Sequence, residues 1–173
     1  MTPTMKRYLK KLDFSLLNWI QSNMKTKTMD RLMLWSTRMG DGGVILIIYA
    51  IILLISRENR EVGVTLFFAV TACAIIGNLV IKPAFRRTRP CNRDESKPLL
   101  LSRRPSDSSF PSCHTMTSFA AVVAISQAGG LLGMTSVIFA SMISFSRMYL
   151  FVHYPSDVLI GAIMGIAAGR LFV

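Results

Sequence analysis

Polar and apolar positions fall in long blocks along this chain. Val62 to Ile81 is twenty residues without a charge, about one bilayer crossing at roughly 1.5 Å of rise per residue. Thr115 to Ser146 adds thirty-two more uncharged residues, too many for one crossing. Gly129-Gly130 divides that run, as a tight turn between two helices would. Asp30 to Ser56 reads as a first crossing. Its mixed early turns give way at Gly40-Asp41-Gly42-Gly43, a kink or helix contact, to the apolar "VILIIYAIILLIS". Pro155 opens a last helix, since proline suits a first turn. Gly161, Gly165 and Gly169 recur every four residues along it, which suits close packing in lipid.

The pattern predicts an all-α integral membrane bundle of about five transmembrane helices: 30–56, 62–82, 112–128, 131–147 and 155 to the C-terminus. Residues 1–28 read as an amphipathic interfacial segment, with Trp19 at headgroup depth and the lysines in water. They do not resemble a cleaved signal peptide, because the apolar residues are interleaved with polar ones and no small-residue cleavage site follows. Residues 83–111, carrying Pro83, Pro90, Pro98 and Pro105, read as a polar loop. Nothing marks a second domain, so 1–173 is taken as one.

Composition agrees. Hydrophobic residues make up 51% of the 173 positions, and the net charge is +11. The basic residues cluster, seven in 1–31 and eight in 82–104. They flank apolar helices and no nucleic-acid-binding motif is present, so anionic headgroups rather than nucleic acid are the natural partners. Cys73, Cys91 and Cys113 show no metal-ligand spacing, and an odd count argues against a disulfide framework. Cys91 and Cys113 can in principle pair across their loop. No metal or other cofactor is called for.

Helices that alternate in direction bring four polar places to one membrane face. Lys82 and Arg89 follow the second crossing. Ser112 and His114 begin the third. Ser146 and Arg147 end the fourth, and His153 and Asp157 bracket the start of the fifth. Ionisable groups at such depth are costly and mark function. Lys82, Arg89 and Arg147 are cations suited to a phosphoryl group, and the N-terminus of the third helix is an anion site with Ser112 adding a hydroxyl. Both histidines of the chain lie here. His153 has a carboxylate four residues on, able to fix its tautomer and free the other ring nitrogen to attack. His114 has none nearby in sequence and is free to move a proton. The bland alternative, two interfacial histidines with satisfied hydrogen bonds, leaves the convergence of three cations unexplained.

At these residues the sequence resembles the phosphatidic acid phosphatase type 2 family. "KPAFRRTRP" (Lys82 to Pro90), "PSCH" (Pro111 to His114) and "SRMYLFVHYPSD" (Ser146 to Asp157) match its three motifs, ten specified positions in order. The resemblance implies a metal-independent phosphatase working through a phosphohistidine. His153 is then the nucleophile, oriented by Asp157, and His114 is the acid and base. Lys82, Arg89, Ser112, Arg147 and the backbone near Cys113 hold the phosphate. Cys113 stands where the family usually has Gly, which restricts the backbone and can crowd the pocket; it is also a candidate reactive thiol.

The resemblance further implies a lipid phosphate or diphosphate whose tail stays in the bilayer: undecaprenyl diphosphate, phosphatidylglycerophosphate or phosphatidic acid. A phosphotransferase passing the group to a lipid or sugar acceptor has the same sequence. A silent lipid-binding or transport protein needs the cations but not the paired histidines. The positive-inside rule puts the site face in the cytoplasm. The likeness to bacterial lipid phosphatases points outward, and a phosphate-binding face has its own reason to be basic. The expectation is a bacterial cytoplasmic membrane protein with its site outside.

Overall fold

The computed structural model describes residues 3–97 and 99–173; Met1, Thr2 and Pro98, parts of the predicted segments 1–28 and 83–111, lie outside them. The elements are α1 (Pro3–Asn23), α2 (Lys27–Met39), α3 (Val44–Ile55), α4 (Arg60–Ile75), α5 (Lys82–Phe85), α6 (Pro90–Arg93), α7 (Cys113–Ser126), α8 (Gly130–Tyr149) and α9 (Pro155–Arg170). A 3₁₀ turn, Asp41–Gly43, joins α2 to α3, and a π-helical stretch, Ile76–Ile81, carries α4 into α5. No strand occurs among the described residues. The fold is an all-helical membrane bundle.

Two apolar stretches, Arg60–Arg93 and Gly130–Tyr149, are long enough to cross a bilayer, and α2 with α3, bent by 51°, passes as a third. Of the five expected crossings, 62–82 and 131–147 fall on stretches of sufficient length, 30–56 qualifies only as a bent pair, and 112–128 and the last helix fall short. α7 has 14 residues, about 21 Å at 1.5 Å per residue, short of an apolar layer of about 30 Å. α9 has 16. Both begin within the motif segments, α7 at Cys113 and α9 at Pro155. The 83–111 loop is less irregular than its composition predicts, since α5 and α6 form single turns within it.

α7 is the central helix, packed by α4, α8 and α9. Its closest partner is α9, and the glycine repeat explains why. A Cβ on Gly161 would lie 2.8 Å from the Ser112 carbonyl oxygen, one on Gly165 would overlap that of Met116, and one on Gly169 would lie 2.7 Å from Val123 Cβ. Any larger residue at Gly165 would drive the helices apart.

α1 has two apolar faces. Met5, Tyr8, Leu9, Leu12, Leu16 and Trp19 form an exposed stripe at helical spacing, while Leu17 and Ile20 are buried against Tyr149, Leu150, Phe151, Val152 and Tyr154. The outer stripe fits an interfacial helix. The inner face clamps the turn between α8 and α9, so α1 is part of the bundle's headgroup end and not a loose tail.

Candidate active site

His153 lies in the turn between α8 and α9. The backbone there doubles back at Phe151, whose φ is 59°, and the Arg147 carbonyl accepts both Val152 N–H (3.1 Å) and His153 N–H (3.2 Å). Arg147, of the motif, thus shapes the turn through its main chain. The imidazole is almost fully buried. Its Nδ1 faces the Ser109 carbonyl oxygen at 2.6 Å, so Nδ1 carries the proton. Nε2 is then a bare acceptor facing Arg89 Nη1 at 3.0 Å. Burial, and after it the Arg89 guanidinium, hold this imidazole well below its ordinary value of 6.5.

Asp157 sits one step further away than the motif spacing predicts. Its Oδ2 is 3.8 Å from His153 Nδ1, beyond hydrogen-bond reach. That oxygen instead accepts the Tyr154 N–H at 2.9 Å, capping α9. The direct partner of the imidazole is the Ser109 carbonyl, which no side-chain pattern reveals. Asp157 is tied to the turn that carries His153 by accepting the N–H of its neighbour Tyr154.

His114 stands in the first turn of α7 and is not alone. Its Nε2 lies 2.9 Å from Asp41 Oδ1, in the 3₁₀ turn between α2 and α3. From sequence, Gly40-Asp41-Gly42-Gly43 reads as a kink or a helix contact, with no role for Asp41. The overlooked signal was a carboxylate inside an otherwise apolar span. His114, Cys113, Thr117, Lys82 and Asn78 line a cavity of about 180 Å³.

Two of the three motif cations, Lys82 and Arg89, converge on one carboxylate. Lys82 Nζ lies 2.6 Å from Asp107 Oδ2 and 2.8 Å from Asn78 Oδ1. Arg89 donates from Nη2 to Asp107 Oδ1 at 2.8 Å and from Nε to the Asp107 carbonyl at 3.1 Å. Partial burial pushes the Asp107 carboxyl up, but Lys82 and Arg89 outweigh it and hold the group below the ordinary carboxylate value. Asp107 therefore offers oxygens to the same two cations that the motifs assign to phosphate. Lys82, Arg89 and Asp107 open onto a second, basic cavity of about 490 Å³ that also holds Arg86 and Arg87.

Arg147 is buried, bonded to Thr37 Oγ1. Its Nε is buried without a hydrogen-bond partner among the described residues, and such unused donors are rare and call for a reason. Ser112 is fully buried at the start of α7; its hydroxyl accepts from Thr115 Oγ1 at 3.0 Å. Cys113 fits because Gly77 faces it: a Cβ on Gly77 would lie 2.7 Å from Cys113 Sγ. The space that the usual glycine leaves is recovered on the opposite helix. All three cysteines are free.

His153, His114, Lys82, Arg89 and Arg147 thus meet at one end of the bundle, joined by the α7 N-terminus. Chain similarity agrees with the layout. The chain is 31% identical to the undecaprenyl-diphosphatase of Sulfolobus acidocaldarius over 88% of its length and 71% of that protein's. It is 33% identical to the lipid A 4'-phosphatase of Bacteroides thetaiotaomicron, over 72% of this chain and 60% of that one. Among solved structures, that of Aquifex aeolicus LpxE superposes with a TM-score of 0.79 at 26% identity, covering 93% of this chain and 94% of the other. The PAP2-type phosphatidylglycerolphosphate phosphatase of Bacillus subtilis shares the fold, with a TM-score of 0.78 at 21% identity over 95% and 84% of the two chains. The profile of the PAP2 superfamily matches residues 63–173. With all three motifs inside that match or at its edge, the chain belongs to the PAP2 superfamily and is a membrane-embedded phosphatase of it.

Proposed function

We propose that this phosphatase hydrolyses a polyprenyl diphosphate, with His153 as nucleophile and His114 as the acid and base. The observation that carries the chemistry is the state of His153. Its Nδ1 proton is held by the Ser109 carbonyl and its Nε2 is bare, 3.0 Å from Arg89. That nitrogen attacks phosphorus and forms a phosphohistidine. His114 gives a proton to the leaving oxygen and then takes one from the water that releases phosphate. Lys82, Arg89 and Arg147 hold the phosphoryl oxygens after Asp107 moves aside, and the α7 N-terminus with Ser112 and Cys113 completes the cradle. The buried, unused Arg147 Nε supports that assignment. No metal enters these steps.

Two features favour a diphosphate. Relatives named undecaprenyl-diphosphatase align over 88% and 83% of the chain. The basic cavity beside the two motif cations, about 490 Å³, has room and charge for a second phosphate. The short α7 and α9 put the site within reach of a headgroup while the tail remains between helices. We place the site face outside the cytoplasm and read five helical passages through the bilayer.

The test is phosphate release by purified protein in detergent with EDTA, from undecaprenyl diphosphate, phosphatidylglycerophosphate and phosphatidic acid in parallel. The expected result is release from the diphosphate, lost in His153→Ala. Preference for either other lipid would overturn the substrate, and full activity in His153→Ala would overturn the nucleophile.

A further inference from the structure

Arg87 lies between the motif positions of "KPAFRRTRP", one of the eight basic residues of 82–104. In the fold it is a hub. Its main chain straps down the segment that serves His153: Arg87 N–H donates to Ser108 Oγ at 3.0 Å, and Ser109 N–H donates to the Arg87 carbonyl at 2.8 Å. Ser109 is the residue whose carbonyl holds the His153 Nδ1 proton.

The side chain reaches the other neighbour of His153. Arg87 Nη1 donates to Asp157 Oδ1 at 2.5 Å and to Ser156 Oγ at 2.8 Å. Asp157 is wholly buried. A buried carboxylate without a cation is strongly destabilising, and Arg87 is the cation that faces it. The guanidinium also stacks over the Tyr154 ring at 4.2 Å.

Arg87 is itself only partly covered, so something must hold it. That is Asp13, on α1. Asp13 Oδ2 accepts from Arg87 Nη2 at 2.7 Å and from Ser156 Oγ at 2.7 Å, and Oδ1 accepts from Ser156 N–H at 2.9 Å. Asp13 is 4% exposed, on a helix where Arg7, Lys10 and Lys11 are exposed. An amphipathic surface helix has no need to bury an acid; this one buries it on the first turn of α9.

We propose that Arg87 and Asp13 are positioning residues for His153: Asp13 fixes Arg87, and Arg87 fixes Asp157 and the Ser109 strap that together set the imidazole. The interfacial helix is then a working part of the site. This rests on the reading of His153 as nucleophile.

The test uses the full chain and has two readouts. The chain has only two histidines, so ¹⁵N-histidine labelling gives two sets of ring signals, assigned with His114→Gln. Arg87→Gln and Asp13→Asn should both move the His153 signals, with Arg87→Lys restoring them in part. Unmoved His153 signals in both folded variants would overturn the proposal, whether or not the protein turns over. In the lipid assay, Arg87→Gln should lower kcat by about 10- to 100-fold, as loss of an orienting partner does elsewhere, with KM within about twofold. The double variant Arg87→Gln/Asp157→Asn should be no slower than Asp157→Asn alone, because both act through one path. Additive losses, or a raised KM at unchanged kcat, would make Arg87 a substrate ligand and sink the idea. If Arg87→Gln does not fold, Asp13→Asn carries both readouts. Silence of the wild-type protein on all three lipids would instead count against the functional reading, and the ring signals would still judge the positioning.

Discussion

The two histidines stand in opposite surroundings. The His153 side chain is 2% exposed and locked by main-chain groups, while that of His114 is 20% exposed and faces an acid that is itself 63% exposed. The difference suits the two chemical tasks proposed for them. A nucleophile gains from a fixed tautomer and a fixed line of attack. An acid that must become a base has to exchange a proton with a leaving group and then with water, so it belongs at a cavity wall.

Several substitutions would break or sharpen that contrast. The largest effect is expected from His153→Ala: loss of turnover by at least about 10⁴-fold, read as phosphate release, with the folded fraction checked by gel filtration. His114→Ala should cost about 10²- to 10⁴-fold and leave a slowly hydrolysed phosphohistidine detectable after acid-free quenching. Equal damage with no trapped intermediate from either variant would remove the division of labour. Asp41→Asn should slow turnover about tenfold, in the range for an orienting carboxylate, while the ¹⁵N signals of His153 stay in place.

Acidity gives a further test. Because the His153 imidazole is held well below 6.5, the acid limb of kcat/KM should fall below 6.5 as well. The same shift has a stability sign. Above 6.5 both folded and unfolded chains hold this group neutral. Below it the unfolded chain binds a proton that the folded chain refuses, so stability falls as pH falls. Thermal melting at pH 7.5 and 5.5 should show that slope, and His153→Gln should lessen it. The smallest effect is expected at Asp107. Since its carboxylate competes with phosphate for Lys82 and Arg89, Asp107→Asn should tighten inhibition by inorganic phosphate about twofold to fivefold, the scale of a partly exposed ion pair. Weaker inhibition would mean that Asp107 orders the two cations instead of competing for them.

The apolar blocks and the three motifs made the helical class and the meeting of Lys82, Arg89, His114, Arg147, His153 and Asp157 legible before any coordinates. What stayed hidden has a common cause. Asp41 meets His114 from 73 residues away, Asp13 meets Arg87 from 74, and the partner of His153 is a main-chain carbonyl that every residue possesses. Local spacing carries no trace of such pairs. The four-residue step from His153 to Asp157 pointed to a direct hydrogen bond, but the α9 N-terminus takes that carboxylate oxygen first. The helix expected over 112–128 forms as α7, Cys113–Ser126, and ends two residues early, where Gln127 and Ala128 turn into Gly129-Gly130.

The glycine seam between α7 and α9 has a consequence for how a bulky lipid gets in. With Met116, Ser112 and Val123 pressed directly on backbone, those two helices have no slack to part. His114 at the head of one and Asp157 at the head of the other therefore travel as a single block. A chain arriving sideways from the bilayer has to find another doorway, and the spacing between His114 and the turn that Asp157 caps stays as it is.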